Sequence, residues 1–139
     1  MILIVSDYHK NEEALLNLIS KYKPQYILCC GDGESNDEFY LNNNIISVKG
    51  NCDYANLPLI KALDIFDMKI IMTHGHLHNV YFDTFKLYLL AKEQNRDYVL
   101  FGHTHQQMLD EYDGVKFINP GALKDGHYAI ICDGEIILK

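Results

Sequence analysis

Five apolar runs of this sequence end in residues that bind metals or protons. "MILIVSDYH" ends in Asp7-x-His9, "YILCCGDG" in Gly31-Asp32, and "IISVKGNCD" in Gly50-Asn51-Cys52-Asp53. "KIIMTHGHLH" carries His74-Gly75-His76, and "YVLFGHTH" ends in Gly102-His103-x-His105. In an extended chain residues i and i+2 point to the same side, so His103 and His105 can face a common point. Two imidazoles alone make a weak site. Asp7, His9, Asp32, Asn51, His74, His103 and His105 together supply nitrogen and oxygen donors without thiolate, a set suited to Mn²⁺, Fe, Zn²⁺, Co²⁺ or Ni²⁺. That is too many ligands for one tetrahedral ion, and it fits two ions sharing one carboxylate. Taken singly, Asp7 and Asp32 also suit helix capping, and Asn51-Cys52-Asp53 suits a plain turn. The histidines in the same pattern weigh for metal.

The chain must then bring these run ends to one edge. "MILIVS", "YILCCG" and "IISVKG" read as strands buried on both faces, because they are continuously apolar rather than alternating. Asn11 can cap a helix with Glu12 and Glu13 in its first turn, Leu15, Leu18, Ile19 and Tyr22 on one face, and Pro24 beyond its end. A short helix is expected over Ser35 to Leu41, and paired strands over Leu59 to Phe66 and Met68 to Thr73. A further helix is expected over Asp83 to Gln94, spaced by Phe85, Leu89 and Lys92. The aromatic stretch "VYFDTFKLYLL" reads as facing the core, with its start able to roof the site. Asp113-Gly114 and Asp133-Gly134 suit two-residue hairpin turns. The order βαβαβ, then strands, a helix and antiparallel strands, predicts a layered α/β sandwich with a partly parallel core. In open α/β sheets ligands bind at the carboxyl ends of the strands, where all five motifs lie.

At these motifs the chain resembles the calcineurin-like metallophosphoesterases. Asp7-x-His9, Gly31-Asp32, Gly50-Asn51-x-Asp53, His74-Gly75 and Gly102-His103-x-His105 match that family's motifs in order, and Asn119-Pro120-Gly121 extends the match. Length and the Gly-Asn-Cys-Asp variant look like the small YfcE-type phosphodiesterases. The resemblance implies a four-layer αββα sandwich with mixed sheets, and one metallophosphoesterase domain over residues 1–139. It implies two divalent metal ions, Mn²⁺ foremost. Asp7, His9 and His105 would hold the first, and Asn51, His74 and His103 the second, with Asp32 bridging. The implied reaction is hydrolysis of a small organic phosphodiester by a metal-bridging hydroxide. Asp32, Asn51 and His76 are the candidate catalytic residues, and Asn51 and His76 are also expected to touch substrate. Asp53 is expected to orient a neighbouring ligand or turn, and His78 and His127 to be surface or structural. Cys52 stands where larger relatives carry the histidine that protonates the leaving alkoxide, and Ser35 stands where they often carry an acid. The first departure removes the acid that monoesters need and is more compatible with diesters or activated esters. Cys52 is expected to be a small space-filling residue in the turn that aims Asn51.

Composition bounds the rest. At 139 residues, 48% hydrophobic and 22% charged, the chain has an ordinary globular composition. It lacks an apolar stretch long enough to span a membrane and a basic, cleavable leader, so a cytoplasmic location is expected. Twelve basic against nineteen acidic residues give a net charge of −7, with no basic cluster, which disfavours nucleic acid and membranes as partners. Two divalent ions would make the pocket locally positive and phosphate its natural ligand. The four cysteines show neither a disulfide framework nor a zinc spacing, and Cys29, Cys30 and Cys132 are expected as buried free thiols. A homodimer stays open. The alternative function is a protein-binding scaffold on the same fold, similar to the retromer subunit, and completeness of the ligand set separates the two.

Overall fold

In the computed structural model, which describes residues 1–139, the apolar run at the N-terminus forms β1 over Ile2–Val5. Both faces of β1 are buried because each meets a different layer. Ile2 and Ile4 point into a core shared with a second sheet, while Leu3 and Val5 point toward helices. After β1 the chain forms α1 (Glu12–Tyr22), whose Asn11 cap accepts from Ala14 N–H at 3.2 Å. It buries Leu15, with Leu18, Ile19 and Tyr22 packed beside it. Then follow β2 (Tyr26–Cys29), α2 (Asp37–Asn42) and β3 (Ile45–Ser47). The second helix starts two residues later than Ser35, because Asn36, not Ser35, caps it by accepting from Phe39 N–H. Ser35 is buried instead, its hydroxyl 2.8 Å from that of Tyr8.

β4 (Ile60–Ile65) and β5 (Met68–Thr73) form an antiparallel pair. They lead to α3 (Phe85–Glu93), β6 (Tyr98–Leu100), β7 (Gln107–Tyr112) and β8 (Val115–Pro120). A single 3₁₀ turn over Leu123–Asp125 precedes β9 (Ala129–Cys132) and β10 (Glu135–Leu138). Asp113-Gly114 and Asp133-Gly134 make the two hairpin turns, both residues of each having positive φ. That is the geometry whose twist suits adjoining antiparallel strands.

The strands form two mixed sheets, ordered β10-β9-β1-β2-β3 and β4-β5-β6-β8-β7. Within each, three neighbours run parallel: β1, β2 and β3 in the first, and β5, β6 and β8 in the second. Ile4, Leu28 and Cys30 meet Ile70, Met72 and Leu100 between the sheets. Helices α1 and α2 cover the outer face of the first sheet, and α3 covers that of the second. The four layers are therefore αββα. Two expectations about side chains change. Helix α3 buries Leu87 and Ala91, leaving Phe85 57% and Leu89 48% exposed, so the aromatic stretch is only partly core-facing. Cys132 is half-buried at the strand end before a turn, unlike Cys29 and Cys30 in mid-core. No helix is long and apolar enough to cross a membrane.

Candidate metal centre

Parallel strands deliver their carboxyl ends to one edge, and the two sheets bring those edges together. The loops after β1 and β2 run side by side, tied by Asp7 N–H to Gly31 O at 2.9 Å and His9 N–H to Asp32 O at 3.0 Å. In the second sheet Gly102 N–H donates to His74 O at 2.9 Å. Across the sandwich, His103 N–H donates to Asp7 Oδ2 at 3.1 Å. This approach needs Gly102: a Cβ there would sit 2.0 Å from Ser6 Oγ and 2.7 Å from Asp7 Oδ2. Gly50 is required similarly, since its Cβ would lie 2.1 Å from Asp32 Oδ1. Asp7, His9, Asp32, His103 and His105 all have φ between 41° and 69°. Such strained backbone persists only where surroundings impose it, and it clusters at functional sites.

The ligand atoms of Asp7, His9 and His105 lie within 4.8 Å of one another, as do those of Asp32, His74 and His103. The halves adjoin through His74 Nε2, 3.0 Å from Asp32 Oδ2 and 3.8 Å from Asp7 Oδ1. Asn51 lies at the exposed rim, its Nδ2 3.5 Å from Cys52 Sγ. His76 stands beside the cluster, its ring centroid 5.5 Å from that of His74 and 6.2 Å from that of His103. Cys52 is exposed and fills no internal space, contrary to expectation. Its N–H donates to Asp32 Oδ1 at 2.8 Å, and its thiol groups with His9 and Asp32.

The surrounding side chains aim this set. The Asp53 carboxylate accepts from Asp32, Glu34 and Gly50 N–H at 2.7–2.9 Å, fixing the loops after β2 and β3. Glu34, which the sequence reading passed over, lies 2.9 Å from His9 Nδ1. Its only sequence signal is its place two residues after Asp32. Asn119 donates to Gly102 O and Thr104 Oγ1 and accepts from Gly121 N–H, bracing the Gly102–His105 turn. His74 Nδ1 donates to Cys30 O at 2.7 Å, which turns Nε2 inward.

The arrangement needs cations. Asp7 Oδ1 is fully buried without a hydrogen-bond partner, although His105 Nε2 approaches to 3.2 Å and His9 Nε2 to 3.5 Å. Nitrogens also face nitrogens: His9 Nε2 and His105 Nε2 are 3.4 Å apart, and His103 Nδ1 and His74 Nε2 3.2 Å apart. Lone pairs converging on one another and on buried carboxylates repel unless a proton or metal ion lies between them. Protons fill part of that role. Burial opposes charge on both Asp32 and His74, but their mutual hydrogen bond wins, holding Asp32 at about 2 and raising His74 above the usual imidazole range. Burial, and then the charge on His74, push His103 and His76 down. Nitrogen and carboxylate donors in this spacing fit divalent ions.

The sequence pattern of the calcineurin-like phosphoesterase superfamily domain matches residues 1–131. The chain belongs to that superfamily. It is 33% identical to the probable metallophosphoesterase YsnB of Bacillus subtilis, over 88% of this chain and 75% of the relative. It is 31% identical to Phosphodiesterase MJ0936 of Methanocaldococcus jannaschii, over 85% of this chain and 81% of that one. Vacuolar protein sorting-associated protein 29 of Schizosaccharomyces pombe is 30% identical over 88% of this chain and 71% of its own. A crystal structure of a predicted phosphoesterase from Streptococcus pneumoniae superposes with a TM-score of 0.84 at 30% identity, covering 92% of this chain and 79% of that one. Superfamily members are metal-dependent, and these relatives support phosphoesterase activity here in general terms.

Proposed function

We propose that this chain is a dinuclear metal-dependent phosphodiesterase acting on a small organic phosphate ester, with Mn²⁺ as the foremost ion. The observation that carries this reading is the buried, unpartnered Asp7 Oδ1 among converging imidazole nitrogens. Asp7, His9 and His105 would hold one ion, and His74, His103 and Asn51 the other, with Asp32 shared. Bound there, divalent ions supply positive charge opposite phosphate oxygens and make water nucleophilic near neutral pH.

The chain's own groups define what chemistry remains. Glu34 and the Cys30 carbonyl hold the outer nitrogens of His9 and His74, so each turns its inner nitrogen toward the cluster, where it would serve an ion once free of its proton. His76, its pKa lowered by burial and by His74, is neutral at pH 7. A neutral imidazole orients an ester oxygen by hydrogen bonding better than it protonates a basic leaving group. The Cys52 thiol, raised by burial and by Asp32 and Glu34, is a weak donor too. Without a strong acid, esters whose leaving groups need no proton are the favoured substrates. That supports activated diesters over alkyl monoesters.

The test is elemental analysis after reconstitution with Mn²⁺, followed by hydrolysis of an aryl phosphodiester with and without a chelator. Two ions per chain and chelator-sensitive hydrolysis are expected. The relation to a Vacuolar protein sorting-associated protein 29 supports the scaffold reading as an alternative. No more than trace metal after reconstitution would favour that alternative.

A further inference from the structure

A third group of ligand atoms adjoins the two proposed ion positions. Those of His9, Asp32 and Cys52 also lie within 4.8 Å of one another, and this group is the one that contains sulfur. It sits at the mouth of the centre, since Cys52 is exposed whereas Asp7, Asp32 and His74 are buried. The other thiols lie elsewhere. Cys29 and Cys30 are buried, and Cys132 follows Ile131, which pairs with Ile2 at the start of β1, away from the strand ends that carry the site.

The loop after β3 fixes the thiol in this place. The Cys52 N–H donates to Asp32 Oδ1 at 2.8 Å, which holds its backbone against that carboxylate and leaves the side chain to turn. Asp53 clamps the same loop, accepting from Asp32 N–H at 2.8 Å and Gly50 N–H at 2.7 Å. Asn51 Nδ2 donates to Cys52 Sγ at 3.5 Å, a contact that strengthens when the sulfur carries charge. Distance then decides whether the three atoms can share an ion. Tetrahedral bonds of ~2.3 Å to sulfur and ~2.0 Å to nitrogen or oxygen set ligand atoms roughly 3.5 Å apart. The group already lies within 4.8 Å, and rotation of the exposed Cys52 side chain about its Cα–Cβ bond closes the difference.

The donor set selects the ion. Thiolate favours soft or borderline ions, whereas Mn²⁺ prefers carboxylate and water. One thiolate, one imidazole and one carboxylate leave the fourth tetrahedral position to water on the exposed side. We infer that His9, Asp32 and Cys52 form a third cation position, taken by thiophilic divalent ions such as Zn²⁺ or Cd²⁺ and exclusive of the two-ion centre. His9 belongs to one ion of the proposed pair and Asp32 to both, so an ion seated on Cys52 takes a ligand from each. On binding, the Cys52 S–H bond breaks, the proton goes to solvent, and the sulfur electron pair forms the bond to the ion; nothing is oxidised or reduced. A thiophilic ion would thereby close the centre that Mn²⁺ assembles. Ligation by sulfur needs no turnover and goes beyond the hydrolase reading; the exclusivity rests on the two-ion part of it.

Cd²⁺ is the probe. Metal-free protein titrated with Cd²⁺ should develop the ultraviolet sulfur-to-metal charge-transfer band of a cadmium thiolate, saturating at one ion per chain. Cys52→Ser should lack the band, and Cys132→Ser should keep it. Cys52→Ser retains the backbone N–H on Asp32, so it should bind Mn²⁺ as the wild type does while Cd²⁺ binding weakens by at least about tenfold, the loss typical even of a residue that only orients a ligand. In protein first loaded with Mn²⁺, Cd²⁺ should release Mn²⁺, read by the electron paramagnetic resonance of the free aquo ion. No band in the wild type, or the same band in Cys52→Ser, would overturn the site. A band that grows while Mn²⁺ stays bound would overturn its exclusivity. If no phosphate ester were hydrolysed with any metal, the hydrolase reading would fall, and the charge-transfer band would still decide the site.

Discussion

Asp32 presents Oδ1 to the Cys52 N–H at 2.8 Å and Oδ2 to His74 Nε2 at 3.0 Å. It groups with His74 and His103 on one side and with His9 on the other. A carboxylate placed between two cations offsets charge on both, and an amide of the same shape offsets none. Asp32→Asn should therefore lower kcat/KM by about 10³-fold, roughly 4 kcal/mol of barrier, more than loss of any single terminal ligand such as His9 or His74. The check is steady-state kinetics with metal content measured in parallel. If His9→Ala or His74→Ala were more damaging while two ions stayed bound, Asp32 would not be shared. Cys52 behaves differently, because its 2.8 Å hydrogen bond to Asp32 is made by the backbone N–H, which any residue but proline supplies, and the exposed thiol beside it is a weak donor. Cys52→Ala should cost less than about tenfold in kcat on an aryl diester, under ~1.4 kcal/mol. A defect growing steeply with leaving-group basicity would make the thiol the proton donor instead.

Loops rather than strands hold the candidate ligands, so the elements that brace those loops set the precision of the site. Asn119, at the end of β8, is the main brace of the Gly102–His105 turn, with its amide satisfied at both ends. Asn119→Ala leaves the Gly102 carbonyl and the Gly121 N–H without that partner inside the protein. About 1–3 kcal/mol of stability should be lost, with about tenfold weaker Mn²⁺ binding as His103 and His105 loosen. Denaturant unfolding and metal titration read the two effects separately, and unchanged metal affinity would confine Asn119 to a structural role. The strand ends and both Asp-Gly turns were legible in the sequence, because each is a local pattern of apolar run and turn residue. Glu34 on His9 was not, because that contact joins loops twenty-five positions apart in the chain and leaves no periodic trace. Helical spacing in α3 likewise showed a periodic face, but not that Leu87 and Ala91, rather than Phe85 and Leu89, would meet the sheet.

At the scale of the whole molecule, the site ties together the loop edges of two sheets whose broad faces meet through an apolar core. Bound cations would therefore stabilise the entire fold. At about 100-fold over the dissociation constant, each site should add roughly 2.7 kcal/mol, read as a rise in Tm when Mn²⁺ is added to metal-free protein. The rise should depend on pH with a definite sign. Without metal, Asp32 at about 2 lies below its unfolded value, so its contribution is present above pH ~4 and is lost as pH falls toward 2. His74 is raised, so its contribution is full below ~6.5 and is lost as pH rises through its folded pKa. The metal-free protein should thus gain most from this pair between pH ~4 and ~6.5. Metal binding needs His74 Nε2 unprotonated, so ion and proton compete for the same nitrogen. Raising the pH through the His74 pKa removes the proton's stabilisation and favours the ion. The Tm increment from Mn²⁺ should consequently widen from pH 6 to pH 8. Thermal denaturation at fixed Mn²⁺ across that range measures it, and an increment that narrows with pH would mean that His74 does not exchange its proton for the metal.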